Sequence, residues 1–164
     1  MSKVHTSTLL WLTWLMLAVS LLALPARAAE TRFSHPGVEA DAKRYEAHLK
    51  AHFRTGRAAR DLKQEADKLM ASPQDFRAAA RAYGQAVVAD GADVEAWINL
   101  SRALLAIQPD QSGERYELPT NASAAAMVAY QRARTAKEKV DALWVLHTAL
   151  KRRSFFRPAI DVLY

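Results

Sequence analysis

His48 and His52 stand four residues apart, the spacing at which one helix face can turn two imidazoles toward a metal ion. Such a site needs a third ligand, and none of the right kind stands nearby. Glu46 falls on another part of the same helix, so the pair is read as surface histidines and no metal is expected. His147 occupies a small-residue position between packed helices, which points to a partly buried, hydrogen-bonded histidine. Ser101, Ser112 and Ser154 have no histidine and acid partners in the pattern. There is no glycine-rich phosphate loop, no paired-acid site and no nucleophile elbow. The chain has no cysteine, which removes thiol catalysis, Cys-based zinc sites and any thioester. These residues suggest neither an enzyme nor a cofactor site.

The charged residues point to surfaces. Arg54, Arg57, Arg60 and Lys63 recur every three residues and read as a solvated helix face or a stripe for an anionic partner. Lys151, Arg152 and Arg153 mark the basic last turn of a helix. Asn121-Ala122-Ser123 spells a glycosylation acceptor, which would be idle in a bacterial protein, and Asn121 is equally explained as a helix cap. Trp97 has two readings, as a packing residue between helices or as an aromatic anchor for a partner.

The N-terminal stretch stands apart. Lys3 is the sole formal charge before Arg27, and residues 9–24 between them read LLWLTWLMLAVSLLAL. A cationic start, an apolar run and Ala26-Arg27-Ala28 have the form of a secretory signal peptide cleaved after Ala28. The rival is an uncleaved signal anchor, although the run is short of the roughly 20 residues of a spanning helix. The expected localisation is the periplasm or cell envelope, with membrane contact only if the signal stays. Removing Lys3 and Arg27 leaves 21 basic residues against 17 acidic, about +4, too mild to demand nucleic acid. Without cysteines in an oxidising compartment, stability must come from packing.

Apolar spacing after this segment is helical throughout. Val38, Ala42, Tyr45, Leu49 and Phe53 recur at threes and fours, and Gly56 interrupts them. Leu62, Ala66, Leu69 and Met70 share a face of the next segment. Ser72-Pro73-Gln74-Asp75 reads as a helix start, with Ser72 as cap. Gly91 breaks that helix, and Asp93 caps another that Gln108-Pro109 ends. Residues 110–120 form a loop by composition. Helical pattern resumes over 122–134, 138–152 and from Phe155. No period-two alternation is sustained, so the fold class is all-α.

The segments also repeat. Ala79, Tyr83 and Ala86 have counterparts in Ala126, Tyr130 and Ala133, and then in Ala159 and Leu163. Trp97, Leu100 and Leu104 match Leu143, Leu146 and Leu150, while Ala66 and Met70 fill part of the first copy. This pattern resembles the tetratricopeptide repeat, in which small residues let antiparallel helices approach closely. It departs from the family in its inserted loop, in Asp67 at a usually small position and in lacking the family's Pro. The sequence from LKQEADKLMASPQDFRAAARAYGQAVVADGADVEAWINLSRALLAIQP through AAMVAYQRARTAKEKVDALWVLHTALKRRSFFRPAIDVL also resembles the N-terminal helical region of bacterial alpha-2-macroglobulin-type proteins.

These resemblances imply an antiparallel helix-pair solenoid after a signal peptide. Residues 1–28 would be the signal, 29–56 a leader and first helix, and 57–164 about three helix pairs. The family is exported and associated with protease trapping, but its bait region and thioester lie downstream of such a region. The chain itself would be a non-catalytic docking segment, with Gln64, Lys68, Glu95, Trp97 and Arg102 as partner-facing candidates on first helices. Partners would be another protein or the downstream domains of the same full-length chain. Gln64 and Ile98 stand where carboxylate-binding family members carry lysine, so that activity is not implied. The pattern is still amphipathic at Tyr164, which suggests the front piece of something longer. The alternatives are a stand-alone periplasmic adaptor and a signal-anchored protein with a periplasmic helical domain.

Overall fold

The structure, a computed structural model, describes residues 33–163. The expected signal segment and its cleavage point after Ala28 lie outside the described residues. Residues 33–163 form one compact unit with seven α-helices, and no strand occurs among them. The helices are α1 (Pro36–His52), α2 (Ala59–Leu69), α3 (Phe76–Ala89), α4 (Val94–Ala106), α5 (Glu114–Arg132), α6 (Ala136–Arg152) and α7 (Phe156–Asp161). Among the described residues, no helix is long and apolar enough to cross a membrane.

Local chemistry sets the helix starts. Asp93 caps α4 by accepting from the Ala96 backbone N–H at 3.0 Å. Thr135 and Glu138 form a reciprocal capping box at the start of α6. At α1, Pro36 takes the first turn and His35 Nδ1 accepts from the Val38 N–H at 3.4 Å. The Ser72 start is different: Ser72 makes no side-chain cap, and Pro73–Asp75 is a single 3-10 turn ahead of α3.

The stretch expected as a loop over 110–120 is mostly helix, because α5 begins at Glu114 and runs through Pro119. Glu114 and Glu117 lie in its first turn, where carboxylates complement the helix dipole. Glu114 also accepts from Arg77 Nη1 and Nη2 at 2.9 and 2.8 Å and from the Asp110 N–H at 2.8 Å. Pro119 removes one internal hydrogen bond near the helix start. Asn121 is therefore inside a helix and does not cap one.

Packing follows chain order: α2 lies against α3, α4 against α5, and α6 against α7. Between pairs, α4 also packs on α3, and α6 packs on α5 and α4, while α1 lies mainly across α5. Short links such as Asp90–Asp93 force neighbouring helices to run antiparallel. Helix α5 is the centre. From Ala122 to Tyr130 every residue is buried, which explains the run ASAAAMVAY: small side chains admit α1, α4 and α6 on different sides. The repeated alanines do the same work elsewhere, and Ala66, Ala79, Ala86, Ala126 and Ala159 are all buried. Gly84 marks the closest approach, where a Cβ would come within 2.9 Å of Phe53.

Candidate functional site

The solvent face of α4 consists of Glu95, Asn99 and Arg102, spaced by four and three residues between buried neighbours. To one side lies α2, whose Lys63 is paired with Glu95 and stands 4.0 Å from Asp93. To the other side lies α6, where Lys137 is paired with Asp141 at 2.7 Å. Arg102 Nη1 donates to Asn99 Oδ1 at 3.0 Å, and its charge also acts on Lys137 and Asp141. Asp67 on α2 accepts from the buried Tyr83 hydroxyl, bridging α2 to α3. The result is a polar face three helices wide with both signs of charge interleaved.

Its electrostatics are those of paired surface charges. Partial burial lowers the Lys63 ammonium, but Glu95, Asp93 and Asp67 outweigh this and leave it above the usual lysine range. Asp141 is held down by Lys137, and Lys137 is raised by Asp141. Tyr83 is raised first by burial and then by its bond to Asp67. The arrangement suits recognition by charge pairing.

The expected partner-facing residues distribute unevenly over this face. Glu95 and Arg102 are exposed at its centre. Gln64 and Lys68 are exposed too, but they occupy the next stripe of α2, about 100° around the helix from Lys63 and Asp67. Trp97 is elsewhere: it is 1% exposed, its indole N–H donates to the Gly91 carbonyl at 3.0 Å, and Arg132 covers its ring. Its aromatic surface is used in packing. Asp67 was not among the expected partner-facing residues, and Lys63 was expected only as part of the basic stripe, although both lie on α2 beside the Leu62–Ala66 core stripe.

Other sequence candidates resolve individually. His48 and His52 are exposed, with ring centroids 3.9 Å apart, and His52 Nδ1 donates to the His48 carbonyl. Among the described residues, no three His, Cys, Asp or Glu side chains gather as a metal ligand set. His147 is half-buried and its Nδ1 donates to the Ala159 carbonyl at 2.6 Å. The basic stripe does not form as a helix face: Arg54 and Arg57 precede α2, and Arg57, Arg60 and Lys63 each have an acidic neighbour. Ser101 is buried and donates to the Ala122 carbonyl, which ties α4 to α5.

Two long-range arginine contacts had no local sequence signal. Arg153, expected as part of a basic turn, reaches Asp41 on α1 at 2.8 Å, and both side chains are 11% exposed. It also donates to Ser123 Oγ at 2.8 Å. Arg132 donates to Glu46 at 2.8 Å and to the Gly91 carbonyl. Together they hold α1 across α5. Beside this clamp, a cleft between α1 and α5 is lined by Asp41, Arg44, Tyr45, Glu117 and Asn121. The Tyr45 hydroxyl there is pushed up by burial and then by Glu117.

No family model matches the sequence, and no curated protein or solved structure is significantly similar to it.

Proposed function

We propose that the chain is a non-catalytic docking segment, a tetratricopeptide-like stack of helix pairs whose α2–α4–α6 face holds a protein partner or a further part of its own full-length chain. The observation that carries this reading is the exposed polar face formed by Lys63, Asp67, Glu95, Asn99, Arg102, Lys137 and Asp141 on successive first helices. Interleaved charge favours a partner surface that is itself mixed, because a strongly single-signed one would meet repulsion at every second position.

The sequence resemblance supports a context: the front of an exported, alpha-2-macroglobulin-like envelope protein, where protease trapping would belong to regions outside this segment. A mature N terminus at Ala29, read by N-terminal sequencing of the exported product, would support that context and remove the signal-anchored alternative. Continuation of the reading frame after Tyr164 would favour it over a stand-alone periplasmic adaptor, and a stop codon would favour the adaptor.

Docking is tested by placing a photo-crosslinking amino acid at Asn99 or Arg102 in the natively produced protein, with Lys43 on α1 as a control. A discrete adduct from the α4 positions and none from Lys43 is the expected result. Equal labelling from all three positions would remove this face as a docking site.

A further inference from the structure

Five large apolar side chains are exposed along α6, α7 and the turn that follows α7. On α6 they are Val140 and Trp144, 65% and 63% exposed and one turn apart. On α7 they are Phe156 and Ile160, 62% and 55% exposed, and Leu163 in the turn just after it is 50% exposed. The two rows adjoin. The Trp144 ring lies 6.1 Å from the His147 ring, and His147 bonds the Ala159 carbonyl beside Ile160. Isolated exposed apolar residues are ordinary, but several large ones on two packed helices suit an interaction site.

The rest of the fold shows what fits such a surface. The preceding pairs are each covered by the helix that follows them: α4 lies on α3, and α6 lies on α5 and α4. Both covering helices are amphipathic, α6 presenting Ala142, Val145, Leu146 and Ala149 to its neighbours. Along α6 and α7 the rim of the uncovered patch is mainly cationic. Among the described residues no ion pair holds Lys151 or Arg157, both exposed, whereas Lys137 and Asp141 neutralise each other, Glu138 is engaged in the α6 capping box, and Asp161 is the acid that is left.

We infer that the α6–α7 face is a docking site for an amphipathic helix of a partner protein, one with an apolar i, i+3, i+4, i+7 stripe and carboxylates along its flank. Recognition would be helix-in-groove, with Trp144 as the central anchor and Lys151 and Arg157 pairing the flanking acids. This site shares α6 with the α2–α4–α6 face but is built on Trp144 and the α7 residues, and it does not depend on that face's reading.

The probe is a fluorescent peptide of residues 92–107, locked as a helix by a side-chain bridge between positions 102 and 106. It keeps Asp93, Glu95 and the apolar stripe of α4. Its anisotropy should rise saturably with added protein. Trp144→Ala should weaken binding by more than about tenfold, as should Ile160→Glu, while Lys43→Ala on α1 should leave it unchanged. Both weakened positions are exposed, and circular dichroism of the variants checks that the helices persist. Absence of saturable binding by the folded protein would overturn the proposal. So would a concentration-dependent dimer in sedimentation velocity that Ile160→Glu abolishes, since a second copy would then occupy the face.

Discussion

Replacing Asp41 by alanine leaves the Arg153 guanidinium without its carboxylate at a place where both side chains are 11% exposed. Removing one partner of a buried pair costs about 3–5 kcal/mol, because the remaining charge stays desolvated. Arg153 keeps its bond to Ser123 Oγ and lies 4.4 Å over the Phe155 ring, which returns part of that cost. Arg44, the other partner of Asp41, is 78% exposed and contributes little. The expected loss for Asp41→Ala is therefore near the lower end, about 3 kcal/mol, or a fall in Tm of roughly 10 °C for a domain of this size. Asp41→Asn keeps an acceptor and should lose about half as much. Urea unfolding followed by circular dichroism measures both, and the Asp41→Ala/Arg153→Met cycle isolates the pair. A loss below about 1 kcal/mol with no coupling would refute the view that this contact clamps α1 to the α6–α7 junction.

Ser154 has φ of 61° and ends α6, with the Phe155 N–H bonded to the Leu150 carbonyl at 2.9 Å and the Ser154 N–H to that of Lys151. Glycine is the residue this left-handed position favours, so Ser154→Gly should stabilise by about 0.5–1 kcal/mol, read as a higher Tm; a lower Tm would count against it. Glu114 is held down at about 2, chiefly by the Arg77 guanidinium and then by the Asp110 N–H. Its folded value lies below the unfolded one, so its contribution is complete above ~4.3 and disappears as pH falls toward 2. Glu114→Gln should therefore flatten the acid side of the stability profile, and an unchanged drop in urea midpoint between pH 6 and pH 3 would argue against that. Thr135→Ala removes one half of the α6 capping box and should cost about 1 kcal/mol; no change in the urea midpoint would mean that Glu138 alone secures the helix start.

Helix existence was legible in the sequence because apolar spacing reports which face is covered, and α1, α4 and α6 fall close to their expected spans. Helix boundaries near polar residues were less legible. Residues 110–120 look like a loop because Gly113 and Pro119 are local breakers, whereas the network that supports a helix there depends on Arg77, 37 residues away in sequence from Glu114. The same limit applies to Arg153 and Asp41, 112 residues apart. A basic turn residue and a buried ion-pair partner look identical until the far helix is in place. Trp97 illustrates the converse: its spacing is compatible with a core or a groove, and only the placement of Gly91 and Arg132 around it decides.

The distribution of contacts also limits where a partner can bind. Tyr45 and Leu49 of α1 are buried, while Asp41 and Glu46 pair with Arg153 and Arg132. That side of the α3–α5 layer is therefore occupied by the chain itself. The Ala-rich face of α5 is enclosed, and the hydroxyls of Ser101, Ser123 and Tyr83 are all hydrogen-bonded internally. The larger uncommitted surfaces are the mixed-charge face of α2–α4–α6 and the apolar face of α6–α7. They differ in what they would select: the first tolerates water and discriminates by charge register, while the second gains from excluding water around Trp144. High salt should therefore weaken a complex on the first face far more than one on the second, and that contrast distinguishes which face a captured partner uses.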